Sequence, residues 1–279
     1  MFARFLIATA TFVSALAMAQ DEPDPAQIYI EEFSYSGSGC PAGTVASNLS
    51  PDKEAATFIF SNYVISSAEV AGNLAQKACR LRLKMHVPAG WQFALFGVDY
   101  RGFARLDQGV QGFQGTRYDF GAAGATRLPT MRLNGPTNDD YLQIAEVPIE
   151  RMAFSACNAQ SHMLTLDSGV RIEGAQPFRN GAAPEQGLMT IDSLDGQVEE
   201  HYGFVWKPCQ GPAFQAKCPV LAQATNGRRH VFWGVAFGRS QDAANTKSLN
   251  KAIQRCERAR LKKPRMQIVC TPRPERCSG

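Results

Sequence analysis

The sequence predicts a mainly β protein: an antiparallel β-sandwich of the jelly-roll or Greek-key type, followed by a small disulfide-rich β-α-β module. Three observations support this prediction. Strand-like patterns fill most of the chain, one amphipathic helix pattern lies near its end, and eight cysteines stand in a chain that opens with an export signal. We expect a signal peptide in residues 1–19, the sandwich in residues 20–210 and the module in residues 211–279.

The first residues have the three parts of a secretory signal peptide. Arg4 gives a positive start, residues 5–16 form an apolar run, and residues 17–19 match a small-x-small cleavage site. The run is too short and too rich in hydroxyl groups to span a bilayer, and no later stretch is apolar enough to be a transmembrane segment. We therefore expect the mature protein to be secreted or periplasmic.

Strand patterns follow the signal. In residues 80–87 leucine, methionine and valine alternate with charged residues, which is the period of a strand buried on one face. Residues 56–66 and 91–106 are rich in aromatic and β-branched residues on both faces, which favours strands inside a sheet. Because no amphipathic helix pattern interrupts residues 56–206, these strands predict an antiparallel sandwich.

A tight hairpin is predicted near the end of the sandwich. Asp195 and Gly196 lie between two strand-like runs within residues 188–206. This dipeptide supplies the positive φ angles that a two-residue turn requires.

The pattern changes in the C-terminal module. Residues 230–238 predict a strand, and residues 266–270 predict a second one. Between them four apolar residues recur at helical spacing: Leu249, Ala252, Ile253 and Cys256. Pro264 is expected to end this helix. A β-α-β unit of this size buries little apolar surface, so cross-links would stabilise it.

The cysteines predict four disulfides, because an even number in an exported chain favours oxidation. They are Cys40, Cys79, Cys157, Cys209, Cys218, Cys256, Cys270 and Cys277. About 105 pairings are open to eight cysteines. Proximity to predicted strands favours Cys40 with Cys79 and Cys157 with Cys209, leaving the last four to pair among themselves, with Cys256 and Cys270 able to tie helix to strand. Without a CxxC motif or clustered histidines, zinc has little to bind and we expect no metal site.

Charge divides the chain in two. Residues 20–217 contain 15 Lys and Arg against 22 Asp and Glu, whereas residues 218–279 contain 13 against 3. The basic surface of the predicted helix is a candidate polyanion-binding site: Lys247, Lys251, Arg255, Arg258 and Lys262. Two alternatives stay open, a merely solvated helix face and docking of this face on the acidic part. No aromatic residues interleave with the cations, so we expect no specific nucleic-acid binding.

Several motifs resemble a known family. They are "GCPAGTV" at residues 39–45, "GWQFALFGVDYRG" at 90–102, "GPTNDDY" at 135–141 and "YGFVWKPC" at 202–209. Over about residues 28–210 the chain resembles the secreted fungal and bacterial family catalogued as domain of unknown function 4360. The resemblance implies an exported, disulfide-bonded, mainly β domain and supplies no catalytic residues. Residues 232–270 are similar to a second secreted module, domain of unknown function 4189, which agrees with the β-α-β order.

Catalytic patterns are incomplete. The segment "GRSQD" lies between a strand and a helix, but Asp242 stands where a nucleophile elbow needs glycine, and no histidine follows Ser240. We expect Ser240 or Asp242 to cap the helix instead. A glycoside hydrolase needs two acids about 5 to 9.5 Å apart. Candidates for such a pair are Asp99, Asp107, Asp139, Asp140, Glu199 and Glu200.

Two short clusters are candidate ligand-binding sites. Asp99, Tyr100 and Arg101 could line a site or form a strand-end ion pair. Asp139 and Asp140 offer oxygen atoms to a ligand or to calcium, although turn formation also explains them. We assign no catalytic residue and expect no cofactor.

These observations favour an exported, disulfide-stabilised, non-catalytic protein that binds an extracellular or cell-envelope ligand, a glycan or a polyanion. One alternative is a secreted polysaccharide hydrolase that uses paired carboxylates. Another is a structural or inhibitory secreted protein.

Overall fold

The fold is taken from a computed structural model, which describes residues 22–69, 74–175, 186–191, 200–211, 213–225, 227, 229–262 and 267–279. The predicted signal peptide, the hairpin at Asp195 and Gly196, and Pro264 lie outside these residues. No helix among the described residues has the length and apolarity that a membrane span requires.

Strands dominate the described residues. In chain order the elements are β1 (Tyr29–Ser36), β2 (Val45–Leu49), β3 (Ala55–Phe60), β4 (Val64–Ser66), β5 (Leu74–His86), β6 (Trp91–Leu106), β7 (Gln111–Asp119), β8 (Ala125–Arg127), β9 (Met131–Asn134), β10 (Thr137–Glu146), β11 (Ser161–Glu173), β12 (Gly187–Thr190), β13 (Glu200–Pro208), β14 (Phe214–Gln223), β15 (Arg229–Gly238), α1 (Gln241–Lys262) and β16 (Val269–Pro272). Single 3-10 turns lie at Pro25–Gln27, Ser67–Glu69, Gly121–Ala123, Ile149–Arg151 and Pro274–Arg276.

Two antiparallel sheets form the sandwich. The first sheet has the order β1-β5-β11-β7-β8, with β9 also paired to β7. The second has the order β2-β3-β13-β6-β12-β4, with β10 paired to β6. Successive strands such as β5, β6 and β7 belong to alternate sheets, so the chain crosses between the sheets repeatedly. The predicted mainly β, antiparallel sandwich is confirmed.

The core lies between these sheets. Leu81, Leu83 and Met85 of β5 are completely buried, which confirms the alternation predicted for residues 80–87. From the second sheet Phe93 and Phe204 meet edge to face, with ring centroids 5.5 Å apart. Large aromatic rings on β6 and β13 thus supply much of the apolar area that holds the sheets together.

The C-terminal part adds a third sheet of order β15-β14-β16, with α1 packed on it. A Cβ atom at Gly234 would lie 1.8 Å from the carbonyl oxygen of Ser248, so the glycine permits the close approach of helix and strand. The Ser240 hydroxyl accepts a hydrogen bond from Ala243 N–H at 3.2 Å and caps the helix, as expected. The predicted β-α-β order is that of β15, α1 and β16.

This C-terminal part packs directly on the sandwich. Val235 and Phe237 of β15 join the sandwich core. Phe237 meets Phe154 edge to face, with ring centroids 5.8 Å apart. Apolar burial therefore contributes to the attachment of the third sheet.

All eight predicted cysteines are in disulfides. The pairs are Cys40–Cys79, Cys157–Cys209, Cys218–Cys277 and Cys256–Cys270. The first two pairs and the tie between α1 and β16 agree with the pairing favoured from the sequence. The remaining pair links β14 to residue 277.

Candidate ligand-binding site

The first predicted cluster is divided by strand alternation. On β6 the side chain of Tyr100 is completely buried between the sheets, while Asp99 and Arg101 lie on the other face of the strand. Burial raises the pKa of the Tyr100 phenol, so this hydroxyl stays protonated. Asp99 Oδ1 accepts a hydrogen bond from Arg255 Nη2 of α1 at 3.1 Å.

The second predicted cluster, Asp139 and Asp140, is exposed on β10. The Asp140 backbone N–H donates to Asp139 Oδ1 at 2.8 Å. Since Asp140 pairs with Phe103 of β6, it lies four residues along that strand from Asp99. That offset is about 14 Å, which exceeds the roughly 5 to 9.5 Å between the acids of glycoside hydrolases.

The predicted basic face of α1 is turned toward the acidic part. Lys251 Nζ lies 3.0 Å from Glu54 Oε1, and the lysine side chain is only 9% exposed. Lys247 Nζ lies 3.4 Å from Glu22 Oε1. Burial lowers the pKa of Arg258, whereas the charge of nearby Asp99 raises it. The side chain of Lys262 is not among those described.

Arg255 occupies the centre of this interface. Its guanidinium donates to Glu146 Oε1 at 2.8 Å, to the Trp233 carbonyl at 2.9 Å and to Asp99. Its Cζ atom lies 4.9 Å from the centroid of the Phe96 ring. These contacts correspond to the docking alternative left open by the sequence. Polyanion binding by the helix cations stays a prediction.

The same contacts bring two carboxylates together. Asp99 and Glu146 both bind Arg255, and burial raises the pKa of Glu146 while Arg255 lowers it. The adjoining cavity measures about 20 Å³ and is roofed by α1. It has room for about one water molecule, so this acid pair has no space for a sugar substrate.

A much larger cavity lies on the outer face of the first sheet. It measures about 480 Å³ and lies above three small residues that are neighbours across the strands β5, β11 and β7: Ala78, Gly169 and Gly115. A Cβ atom at Gly169 would have only the Lys77 carbonyl oxygen nearby, at 3.9 Å. The cavity exists because no side chain larger than methyl rises from this row.

Charged side chains border this row on one side. Register aligns Arg80, Asp167, Arg117 and Arg127, one residue from each of β5, β11, β7 and β8. Asp167 Oδ1 lies 2.5 Å from Arg80 Nε, and its Oδ2 lies 3.7 Å from Arg117 Nη1. Arg127 is exposed, and its side chain has no ion-pair or hydrogen-bond partner among the described residues.

A second row borders the cavity on the opposite side. Here register aligns Gln76, Arg171, Phe113 and Arg132. The Cζ atom of Arg171 lies 4.4 Å from the centroid of Phe113, and that of Arg132 lies 5.8 Å from it. Arg171 Nε also lies 2.9 Å from Glu173 Oε1. We call the cavity between these two rows the arginine trough.

The sequence of this chain is similar to those of other proteins. A profile of the family described as "Domain of unknown function (DUF4360)" matches residues 26–209. The chain belongs to this family. An uncharacterized secreted protein of Arthroderma benhamiae is 33% identical over 188 residues, which are 67% of this chain and 74% of that protein. The protein described here is secreted or periplasmic, as predicted.

The arginine trough lies wholly within the DUF4360 segment. The matched residues end at Cys209, before β14 begins at Phe214. The family therefore corresponds to the sandwich, and the third sheet and α1 follow it.

A buried polar network lies directly beneath the trough. Glu200 of β13 is completely buried, and its carboxyl Oε1 accepts hydrogen bonds from Gln114 Nε2 and Ser168 Oγ, both at 2.8 Å. Tyr202 donates to Oε2 at 2.6 Å, and Tyr141 donates to Gln114 Oε1 at 2.9 Å. Gln114 and Ser168 immediately precede the two glycines, so the network fixes this part of the first sheet to the second.

Burial raises the pKa of Glu200, although hydrogen bonds from Tyr202, Ser168 and Gln114 oppose this effect.

No three histidine, cysteine, aspartate or glutamate side chains converge on a metal-binding position in the described parts of the chain.

The trough was not predicted from the sequence. Gly169 and Gly115 follow the strand alternation at positions where a polar side chain would be ordinary, and glycine in a strand can mark close approach of another group. That signal was present, but both arginine rows include side chains of β5, β11 and β7, which are not consecutive strands. Only the register of β5, β11 and β7 places their side chains together.

Proposed function

We propose that this protein is an exported, disulfide-stabilised, non-catalytic binding protein. It holds an extracellular or cell-envelope ligand, a glycan or another polyanion, in the arginine trough. The observation that carries this proposal is a cavity of about 480 Å³ on the outer face of a β-sheet, bordered on both sides by arginines. Ligand sites are concave, preformed and equipped with a few oriented polar groups, and the trough meets this description.

A non-catalytic role is supported by the positions of the reactive side chains. Asp99 and Glu146 are closed off by Arg255. On the first sheet the Ser161 hydroxyl donates to Glu31 Oε1 at 2.6 Å, and His86 Nδ1 lies 3.2 Å from the same oxygen. The serine hydroxyl thus contacts the carboxylate and not the imidazole. An activated serine nucleophile needs the imidazole next to the hydroxyl and the carboxylate behind the imidazole.

Attachment through the basic C-terminal part is a secondary component of the proposal. Arg229 and Arg276 are exposed, in contrast to Lys251 and Arg255, which face carboxylates of the sandwich. Asp139 and Asp140 are exposed as well and stay candidates for contacts with a ligand at the far end of the second sheet.

Filling the trough tests the proposal. Gly169→Leu places a side chain on its floor, and the open space around a Cβ atom there means that the fold should tolerate it. We expect a loss of binding of at least about tenfold with an unchanged or slightly higher Tm, since leucine suits a strand better than glycine. The measurement is retention of full-length protein on isolated cell envelopes and on a panel of neutral and acidic polysaccharides.

Thr165→Leu is the matched control, because it adds a similar side chain to the same face of β11, outside the trough. It should bind as the wild type does. Equal binding by Gly169→Leu, or no retention of the wild type on any of these materials, would overturn the proposal and favour a structural or inhibitory role.

A further inference from the structure

We infer that the ligand of the arginine trough is a carboxylate-bearing polysaccharide, a polyuronate, that lies across the strands and is bound through Arg127 and Arg171. This inference rests on the proposed binding function and specifies its ligand class. The charge, shape and hydrogen-bonding groups of the trough each support it.

The shape of the trough suits an extended chain. Asp167 and Arg171 stand two residues on either side of Gly169 on β11, so the two rows are about 14 Å apart at the backbone. Across the strands the floor spans Ala78, Gly169 and Gly115, which is about 10 Å for three strands spaced about 4.8 Å apart. A polymer that lies perpendicular to the strands can therefore follow the floor between the rows.

The charge of the trough favours an anion. Its two rows and their immediate partners contain five arginines, namely Arg80, Arg117, Arg127, Arg132 and Arg171, against three carboxylates, those of Asp119, Asp167 and Glu173. Of these five arginines, Arg127 is the one whose side chain has no ion-pair or hydrogen-bond partner among the described residues. A planar guanidinium pairs with a carboxylate through two parallel hydrogen bonds, which gives geometric specificity as well as affinity.

Phe113 makes Arg171 a preorganised donor. The guanidinium of Arg171 stacks 4.4 Å from the ring centroid, which restricts its orientation at the border of the cavity. Because the side chain is held before a ligand arrives, less conformational entropy is lost on binding. Phe113 is thus a positioning residue for Arg171.

The carboxylates of the trough distinguish among polyanions. Asp167 lies within the first row and lines the cavity, where it can accept hydrogen bonds from hydroxyl groups. It would also repel a densely charged phosphate polymer such as a nucleic acid or a polyphosphate. A polyuronate has both groups that this mixture recognises, carboxylates for the arginines and hydroxyls for the aspartate.

The test compares three polymers with the full-length protein by isothermal titration calorimetry at moderate salt. They are polygalacturonate, the same polymer with its carboxyl groups methyl-esterified, and inorganic polyphosphate. We expect binding to polygalacturonate, at least about tenfold weaker binding to the neutral ester, and no tighter binding to polyphosphate. Arg127→Gln and Arg171→Gln should each weaken polygalacturonate binding by about tenfold, and Phe113→Leu should weaken it less.

Arg105→Gln serves as the control with the same change in charge, because Arg105 is exposed on β6 of the second sheet. It should leave binding unchanged, and a Tm measurement confirms that each variant is folded. Equal losses in Arg105→Gln and Arg127→Gln would indicate nonspecific charge attraction and overturn the inference.

The remaining outcomes separate this inference from the proposed function. If the methyl ester binds as well as the acid and Gly169→Leu blocks both, the binding function holds and the polyuronate assignment is wrong. Tighter binding of polyphosphate, blocked by the same variants, would assign the trough to phosphate polymers instead. Failure of every polysaccharide, envelope and polyphosphate to bind would remove both proposals.

Discussion

At the scale of single residues, Glu200 shows how burial changes the character of an acid. Its carboxyl group is completely buried and is surrounded by donors from Gln114, Ser168 and Tyr202. Desolvation disfavours its charged form and raises its pKa. A carboxyl group whose folded-state pKa lies above its unfolded value stabilises the fold at low pH and loses that contribution as the pH rises above the unfolded value.

Glu200→Gln tests this point. Glutamine keeps the shape and one acceptor oxygen, replaces the other oxygen by an N–H donor and carries no charge. We therefore expect its free energy of unfolding, relative to that of the wild type, to be higher at pH 8 than at pH 4 by on the order of 1 kcal/mol. Urea unfolding across this pH range measures both values. A variant that is less stable than the wild type by the same amount at both pH values would show that the ionisation of Glu200 is unimportant.

Sequence patterns contained part of this information. Glu200 has the same strand parity as Tyr202, Phe204 and Trp206, all of which are buried. Alternation alone therefore predicts an inward side chain at position 200. Most acids on a sandwich are solvated, and that general expectation fails here because the opposite sheet supplies polar partners that a single strand cannot reveal.

At the scale of elements, α1 is held on the sandwich by an ion cluster as well as by apolar contacts. Arg255 is 6% exposed and neutralises Asp99 and Glu146, which are 14% and 18% exposed. Removing one partner from such a cluster leaves buried charges uncompensated, and this costs more than the pair contributes when intact.

Arg255→Met should therefore lower the free energy of unfolding by about 3 kcal/mol at neutral pH. The loss should be smaller at acidic pH, because burial raises the pKa of Glu146 and this carboxyl needs no cationic partner once it is protonated. Thermal unfolding at pH 4 and pH 7 measures the difference. Arg260→Met is the control, because Arg260 and Glu257 form an exposed pair whose removal should cost no more than about 0.5 kcal/mol.

The helix also shows what periodicity can and cannot predict. The spacing of Leu249, Ala252, Ile253 and Cys256 identified its apolar face, and the structure packs Ala252 and Cys256 in a small core with Phe232. The residues outside that face are the ones that the periodicity predicts to be exposed to solvent. Arg255 instead contacts the sandwich, because a helix that lies between a sheet and a second body has two buried sides.

At the scale of the whole molecule, the disulfides Cys218–Cys277 and Cys256–Cys270 both lie within the C-terminal part. Cys256–Cys270 closes a loop with a sequence separation of 14 between α1 and β16. A cross-link around a loop of this length stabilises a fold by about 3 kcal/mol in the chain-entropy view. The hydrophobic core of the third sheet is small, so we expect this disulfide to supply a large share of the stability of the C-terminal part.

Replacing Cys256 and Cys270 together by alanine should lower stability by about 3 kcal/mol and should increase amide hydrogen exchange in α1 and β16 first. The sandwich strands should keep their protection. Hydrogen exchange with peptide resolution gives this comparison directly. Uniform loss of protection in both parts would mean that the C-terminal part and the sandwich unfold as one unit.

Charge, cysteine count and strand period predicted much of the molecule. The charge difference between the two parts left docking of the basic helix face on the acidic part open as an alternative, and Lys251 with Glu54 and Arg255 with Asp99 form contacts of this kind. Export followed from the signal-peptide motif, cross-linking from the cysteines and the sandwich from the strand period. The trough did not, because Arg80 and Asp167 are 87 positions apart in the chain and meet only through strand pairing.

The direction of the trough has a consequence for a molecule that occupies it. Its floor crosses β5, β11 and β7, whose only direct links along the sheet are backbone hydrogen bonds and side-chain contacts. A polymer held by arginines from several of these strands would bridge chain segments that unfolding must separate. Occupancy would then act as a reversible crosslink, and the protein would resist pulling and proteolysis most strongly while attached to its target.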